Sequence, residues 1–149
     1  MIACEPEGFF SWNYRFRGEG FEGQTWHRVF GEKGGFEVNG VSYEVAKDGI
    51  WSGSWTVRHQ GQVVGRGSKR NPFTRTFDLE WEGDAWVLSA RGLGRAMMLQ
   101  GPGGSLSFRP VHVFSRRVEV EGRIDSPAMI GWALWCAVTI WRRQAQSSS

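Results

Sequence analysis

A chain of 149 residues carrying 21 Gly, 9 Trp and 10 Phe has the size of one domain, and its composition suits short strands joined by tight turns around aromatic packing rather than a helical bundle. Cys4 and Cys136 stand at opposite ends with no CxxC, which excludes a close-spaced disulfide framework and reads as two free thiols in a reducing compartment, with Cys4 exposed. The net charge of +3 is small but uneven, since ten Lys or Arg face four acids between Ile50 and Arg117.

The opening MIACEPEG has neither a positive lead nor an apolar core, so it is not read as a secretory signal, and a cytoplasmic location, with peripheral contact to membranes, is the expectation. FFSWNYRFR and TWHRVFG read as two strands, with GEGFEGQ between them as a long turn or a bulge. From there, four hairpins follow from side-chain alternation, because residues directly opposite each other share a face. Around Asn39-Gly40, Val38 faces Val41 and Phe36 faces Tyr43. Around Gln60-Gly61, Val57 faces Val64, and Trp51, Gly53 and Trp55 continue that face.

The stretch Arg66 to Arg75 holds four cations and no acid, on a loop leading into a strand. Arg66, Lys69, Arg70 and Arg75 are the candidate binding residues, since loops on a rigid barrel favour ligand contact and a guanidinium presents a fork to phosphate. Their bland role is a solvated loop; their sharper role is a site for anionic lipid headgroups.

A third hairpin, turning at Gly83-Asp84, sets Trp81 against Trp86, Leu79 against Leu88 and Phe77 against Ala90, leaving Asp78, Glu80 and Glu82 in solvent. Across Gly101 to Gly104, Leu99 meets Leu106 and Met97 meets Phe108. The run from Phe73 to Glu80 is echoed from Phe114 to Glu121, which suggests a two-hairpin unit used twice.

After Asp125 the pattern changes. Asp125 or Ser126 followed by Pro127 is a helix start, and the spacing predicts a helix over about 127–142, with Arg142 and Arg143 at its negative end. Its apolar stretch, Ala128 to Trp141, spans about 21 Å at about 1.5 Å per residue, short of a hydrocarbon core of about 30 Å. With no polar face to offer solvent, this helix belongs inside a surrounding sheet. The fold class is therefore mainly β, a closed antiparallel barrel around a central hydrophobic C-terminal helix, with residues 1–143 as one domain and 144–149 as a disordered tail.

Little in the chain points to catalysis. His27, His59 and His112 lie on separate strands without metal-ligand spacing, although His59 and His112 can meet across a barrel. No GxSxG elbow accompanies a histidine base, and Cys136 sits in the apolar helix, where burial suppresses thiol reactivity. Gly92-Leu93-Gly94 and Gly101 to Gly104 fit turns better than phosphate cradles. Trp12, Tyr14, Trp26, Trp81 and Trp86 are candidate base-stacking platforms, but Trp81 and Trp86 fall on the inward face, so nucleic acid is a disfavoured partner. No cofactor or metal is expected.

The order Trp51-Ser52-Gly53-Ser54-Trp55, a hairpin, Asn71-Pro72-Phe73-Thr74-Arg75, then Phe114-Ser115-Arg116-Arg117, and last the apolar helix closing on Trp141-Arg142-Arg143 resembles the tubby C-terminal-like superfamily, nearest its LURP-one-related and phospholipid-scramblase branch. The likeness covers about residues 36 to 143 as an ordered pattern. It implies about twelve antiparallel strands threaded by the helix, and a lipid-related function. No phosphoinositide-binding residue of that superfamily maps here by motif, and no EF-hand-type calcium loop is present, so scramblase activity is not implied. The reading is thus a non-enzymatic binding module for anionic, phosphoinositide-like headgroups at a membrane surface. The alternatives are a small-ligand carrier or enzyme using the barrel mouth, and a domain that binds a protein partner.

Overall fold

A computed structural model describes residues 2–8, 11–28, 33–49, 52–70, 75–92, 94–111 and 116–147. Twelve strands precede one helix: β1 (Ile2–Pro6), β2 (Tyr14–Gly18), β3 (Phe21–His27), β4 (Lys33–Val38), β5 (Val41–Lys47), β6 (Ser54–His59), β7 (Gln62–Lys69), β8 (Thr76–Trp81), β9 (Asp84–Ala90), β10 (Met97–Gly101), β11 (Gly104–Pro110), β12 (Val118–Ile124) and α1 (Pro127–Ser147). Each strand pairs antiparallel with its neighbours in sequence, and β1 closes on β12, so the sheet is a complete up-and-down barrel without a free edge. β1 was not legible as a strand; it puts Cys4 inside, 4 % exposed, against the expectation of an exposed thiol.

The alternation is plainest in β8, where Phe77, Leu79 and Trp81 face in while Asp78 and Glu80 face out. The Asn39-Gly40 and Pro102-Gly103 hairpins adopt the expected pairings. Two other registers differ. The third hairpin turns at Glu82-Gly83, both with positive φ (48° and 89°), so Trp81 opposes Asp84, Leu79 opposes Trp86 and Phe77 opposes Leu88. That slip of two residues leaves every side chain on its expected face, because the strand period is two.

In the second hairpin a bulge between Val57 and Arg58 sets Val57 opposite Gly65 rather than Val64. Without the bulge Arg66 would oppose Trp55 on the inner face; with it, Gly65 and Gly67 line the wall and Arg66 points to solvent. The glycines make room for rings: a Cβ on Gly67 would stand 2.8 Å from Trp132, and one on Gly65 2.8 Å from Trp81. Of the strand face expected to run from Trp51, Gly53 lies exposed ahead of β6, and Trp51 falls outside the described residues.

The lumen is filled by α1. Ser126 caps it, its Oγ accepting from the Met129 amide at 3.3 Å, and Pro127 opens the first turn. Met129 to Trp141 are buried on every side, with Trp132 stacked on Phe36 and Trp135 on His27 from the wall. The helix continues through Gln144, Ala145 and Gln146 to Ser147, past the expected boundary at 142 and into the segment expected to be a tail. No helix is long and apolar enough, among the described residues, to cross a membrane.

Candidate functional site: the loop end of the barrel

An up-and-down barrel sends its links alternately to two ends, and here the ends differ. At the end where α1 enters, every link is two residues long: Glu19-Gly20, Asn39-Gly40, Gln60-Gly61, Glu82-Gly83, Pro102-Gly103 and Asp125-Ser126. Three of these turns have positive φ at both positions, the type I′ geometry that matches strand twist. At the other end, where α1 leaves, the six links run from five to seven residues.

Charge follows the same division. The two-residue links carry Glu19, Glu82 and Asp125 and no Lys or Arg. The longer links carry Arg28, Arg70, Arg75, Arg91, Arg95 and the Arg116-Arg117 pair against Glu7, Glu32 and Asp48. Lys33, Lys47 and Lys69 end strands there, and Arg142 and Arg143 follow the last buried turn of α1.

Of the four candidate residues, Lys69, Arg70 and Arg75 belong to this end and Arg66 does not. Arg66 and Lys69 lie on β7 rather than in a loop. Arg66 is exposed on the outer wall between Thr56 and Glu80, beside a hollow of about 540 Å³ that also presents Asp48 and Asp78. Its surroundings favour a cation, not an anion. The Lys69 amide donates to the Gly53 carbonyl at 2.9 Å, which ties the end of β7 to the link before β6.

Arg70 grips both carboxylate oxygens of Asp78 at 3.1 to 3.3 Å, and these bonds, with the carboxylate charge, raise the guanidinium pKa. Its charge is thereby balanced on the spot. Arg75 donates instead to two carbonyls, Gly94 O at 2.7 Å and Gly92 O at 3.0 Å, so it joins two neighbouring links and pairs with no carboxylate among the described residues. The residues sequence reasoning missed are Arg91, Arg95, Arg116 and Arg117. The signal was present, since short turns must alternate end for end with open links.

One of these links and the end of β3 are tied to the helix, and two further links to each other. Trp141 Nε1 donates to Arg95 O at 2.7 Å, Trp135 Nε1 to Trp26 O at 3.0 Å, and the Arg116 guanidinium lies 3.7 Å from the Trp12 ring centre. Partial burial lowers the Arg116 pKa from its ordinary value, with the nearby Tyr14 acting the other way. Below them sits His27, stacked on Trp135 at 4.5 Å with its Nε2 2.9 Å from Thr139 Oγ1.

Burial pushes the Cys4 thiol up to about 12 and the Cys136 thiol well above its ordinary value, so neither is a thiolate at neutral pH. Among the described residues no three His, Cys, Asp or Glu gather as metal ligands. His59, at the acidic end, packs on Tyr43 and bonds Ser42 O at 3.0 Å; His112, Phe73 and Phe114 fall outside the described residues, and with them the His59–His112 pairing and the start of both copies of the echo. A hollow of about 480 Å³ opens on the outer wall over β1 to β4, lined by Glu5, Arg15, Arg17, Glu22 and Glu37 among others.

The site and fold define a class: a closed antiparallel barrel, filled by its own helix, with one basic end built of open links. Compared with protein-family models, with curated proteins and with solved structures, the chain finds no match.

Proposed function

We propose that the protein is a non-enzymatic binding module that recognises anionic lipid headgroups at a membrane surface through the cations of its loop end. The segregation of charge carries this reading: the longer links hold seven cations and three acids, while the short turns hold three acids and no cation. Cations near an anionic bilayer contribute about 1 kcal/mol each. The resemblance to the tubby-like and scramblase-like proteins supports the same direction. The carrier or enzyme alternative has less to stand on, because Trp132, Trp135 and the wall residues around them occupy the lumen where a mouth pocket would lie.

Recognition of this kind is a matter of field rather than fitted contacts. Arg70 is balanced by Asp78 and Arg117 by Glu5, so the excess is spread over many residues instead of converging on one phosphate. Co-sedimentation with phosphatidylcholine vesicles doped with phosphatidylserine tests the reading. Changing Lys69, Arg91 and Arg95 together to Glu should lower the partition coefficient at least about a hundredfold, from three contributions of about 1 kcal/mol. Arg66→Glu on the wall should change it little. Equal binding by the triple variant, or no binding by the unaltered protein, refutes the proposal.

A further inference from the structure

Resting on that reading, we infer its geometry: the barrel docks end-on, with the loop end against the anionic surface and the axis of α1 along the surface normal. Three observations lead there. First, the ends have opposite sign. They are separated by at least the buried length of α1, Met129 to Trp141, which is about 18 Å at about 1.5 Å per residue. That exceeds a screening length of about 8 Å at physiological salt, so a surface touching one end senses that end alone.

Second, the wall offers little net charge to a side-on approach. Its cations sit opposite acids across neighbouring strands: Arg17 with Glu22, Arg58 with Glu44, Arg66 with Glu80, Arg109 with Glu119. Subtracting Arg70 and Arg117 with their partners still leaves the loop end positive, through Arg28, Arg75, Arg91 and Arg95.

Third, the mouth of a closed barrel is a ring. Six links stand around it and the C-terminal turns of α1 emerge within it. A plane meets all parts of a ring together, whereas a rod or a single strand of nucleic acid crosses only part of it. The shape therefore favours a membrane over a linear polyanion.

Single labels at the two ends test this. Gly94 is exposed in the link between β9 and β10, and a Cβ there meets nothing within 4 Å. Gln62 is exposed beside the Gln60-Gly61 turn at the opposite end. Cys4 and Cys136 are buried, so a thiol-reactive fluorophore goes to Gly94→Cys or Gln62→Cys in the native protein. On phosphatidylserine-doped vesicles the Gly94→Cys label should shift to the blue and lose most of its quenching by aqueous iodide, and the Gln62→Cys label should keep both unchanged.

Pelleting measured in the same samples separates the two claims. With the protein bound, equal shielding of both labels, or shielding at Gln62 alone, overturns end-on docking while leaving lipid binding intact. Absence of pelleting overturns the functional reading beneath it. Protection of the Gly94 label in low salt without vesicles, accompanied by a rise in sedimentation coefficient, overturns it in favour of head-to-tail stacking between basic and acidic ends. Equal protection by single-stranded RNA overturns it in favour of a polymer ligand.

Discussion

Acidification should loosen this barrel through one imidazole. His27 ends β3 with its ring stacked on Trp135 at an interplanar angle of 11° and its Nε2 on Thr139 Oγ1. Thr139 gives its only proton to Trp135 O at 3.0 Å, so Nε2 is the donor, and Nδ1 keeps a lone pair with no partner among the described residues. Burial, and then the Arg142 charge, lower the His27 pKa from 6.5 to about 3, against a smaller upward pull from the carbonyls of Trp135 and Trp12.

The folded pKa lies below the unfolded one, so between 6.5 and about 3 the unfolded chain binds the extra proton. The stabilisation is complete above pH 6.5 and drains away as pH falls, at about 1.4 kcal/mol per unit. By about pH 4.5 the loss is about 3 kcal/mol, a large part of the stability of a small domain. Urea unfolding followed by Trp fluorescence at several pH values measures it. The control is His27→Phe, which keeps a ring against Trp135 and cannot titrate. Carboxylates and the other histidines act alike in both proteins, so the difference between the two isolates His27. Parallel pH profiles for the two would refute the buried, neutral imidazole.

Gly34→Ala should destabilise by about 3 kcal/mol, seen as a lower urea midpoint, because its Cβ would collide with the Trp26 carbonyl and stand 2.9 Å from Trp135 Nε1; Gly94→Ala, with open space around it, should leave the midpoint unchanged. Trp135→Phe should cost about 1 kcal/mol more than Trp132→Phe in the same measurement, since Trp135 Nε1 bonds Trp26 O while Trp132 Nε1 has no acceptor among the described residues. The seam between β1 and β12 pairs three residues where β11 and β12 pair seven, so Cys4 should react with a disulfide reagent in dilute urea before Cys136 does and before Trp fluorescence changes. Simultaneous reaction of both thiols would show that the seam opens only with the whole barrel.

The inward rows of β4, β8, β10 and β11 were legible because their apolar residues alternate without interruption, and α1 because no charged residue breaks Ala128 to Trp141. β1 was hidden because Ile2 and Cys4 are too few to mark a period. The bulge at Val57 escaped notice because alternation assumes an unbroken ladder; the clue was that an unbroken one would bury Arg66. Reading Arg66 and Lys69 as loop residues followed from that, since charge without alternation resembles a link. The basic end could not be read from a single stretch. Its cations come from four separate links and gather only once the ring is closed.

Core and surface are joined at that end by the helix itself. The short turns need no outside help, since paired left-handed residues such as Asn39 and Gly40 close each hairpin alone. The longer links are closed by backbone bonds at their feet, such as Arg28 N to Lys33 O and Arg91 N to Ala96 O, and α1 adds two ties: Arg95 O takes Trp141, and the carbonyl of Trp26, near the end of β3, takes Trp135. The helix that fills the lumen therefore also holds the link that carries Arg91 and Arg95. Because His27 packs on that same helix, one turn before Arg142, protonating it weakens the support beneath the basic rim. A cation-rich surface held by an acid-labile core couples the placement of charge to pH.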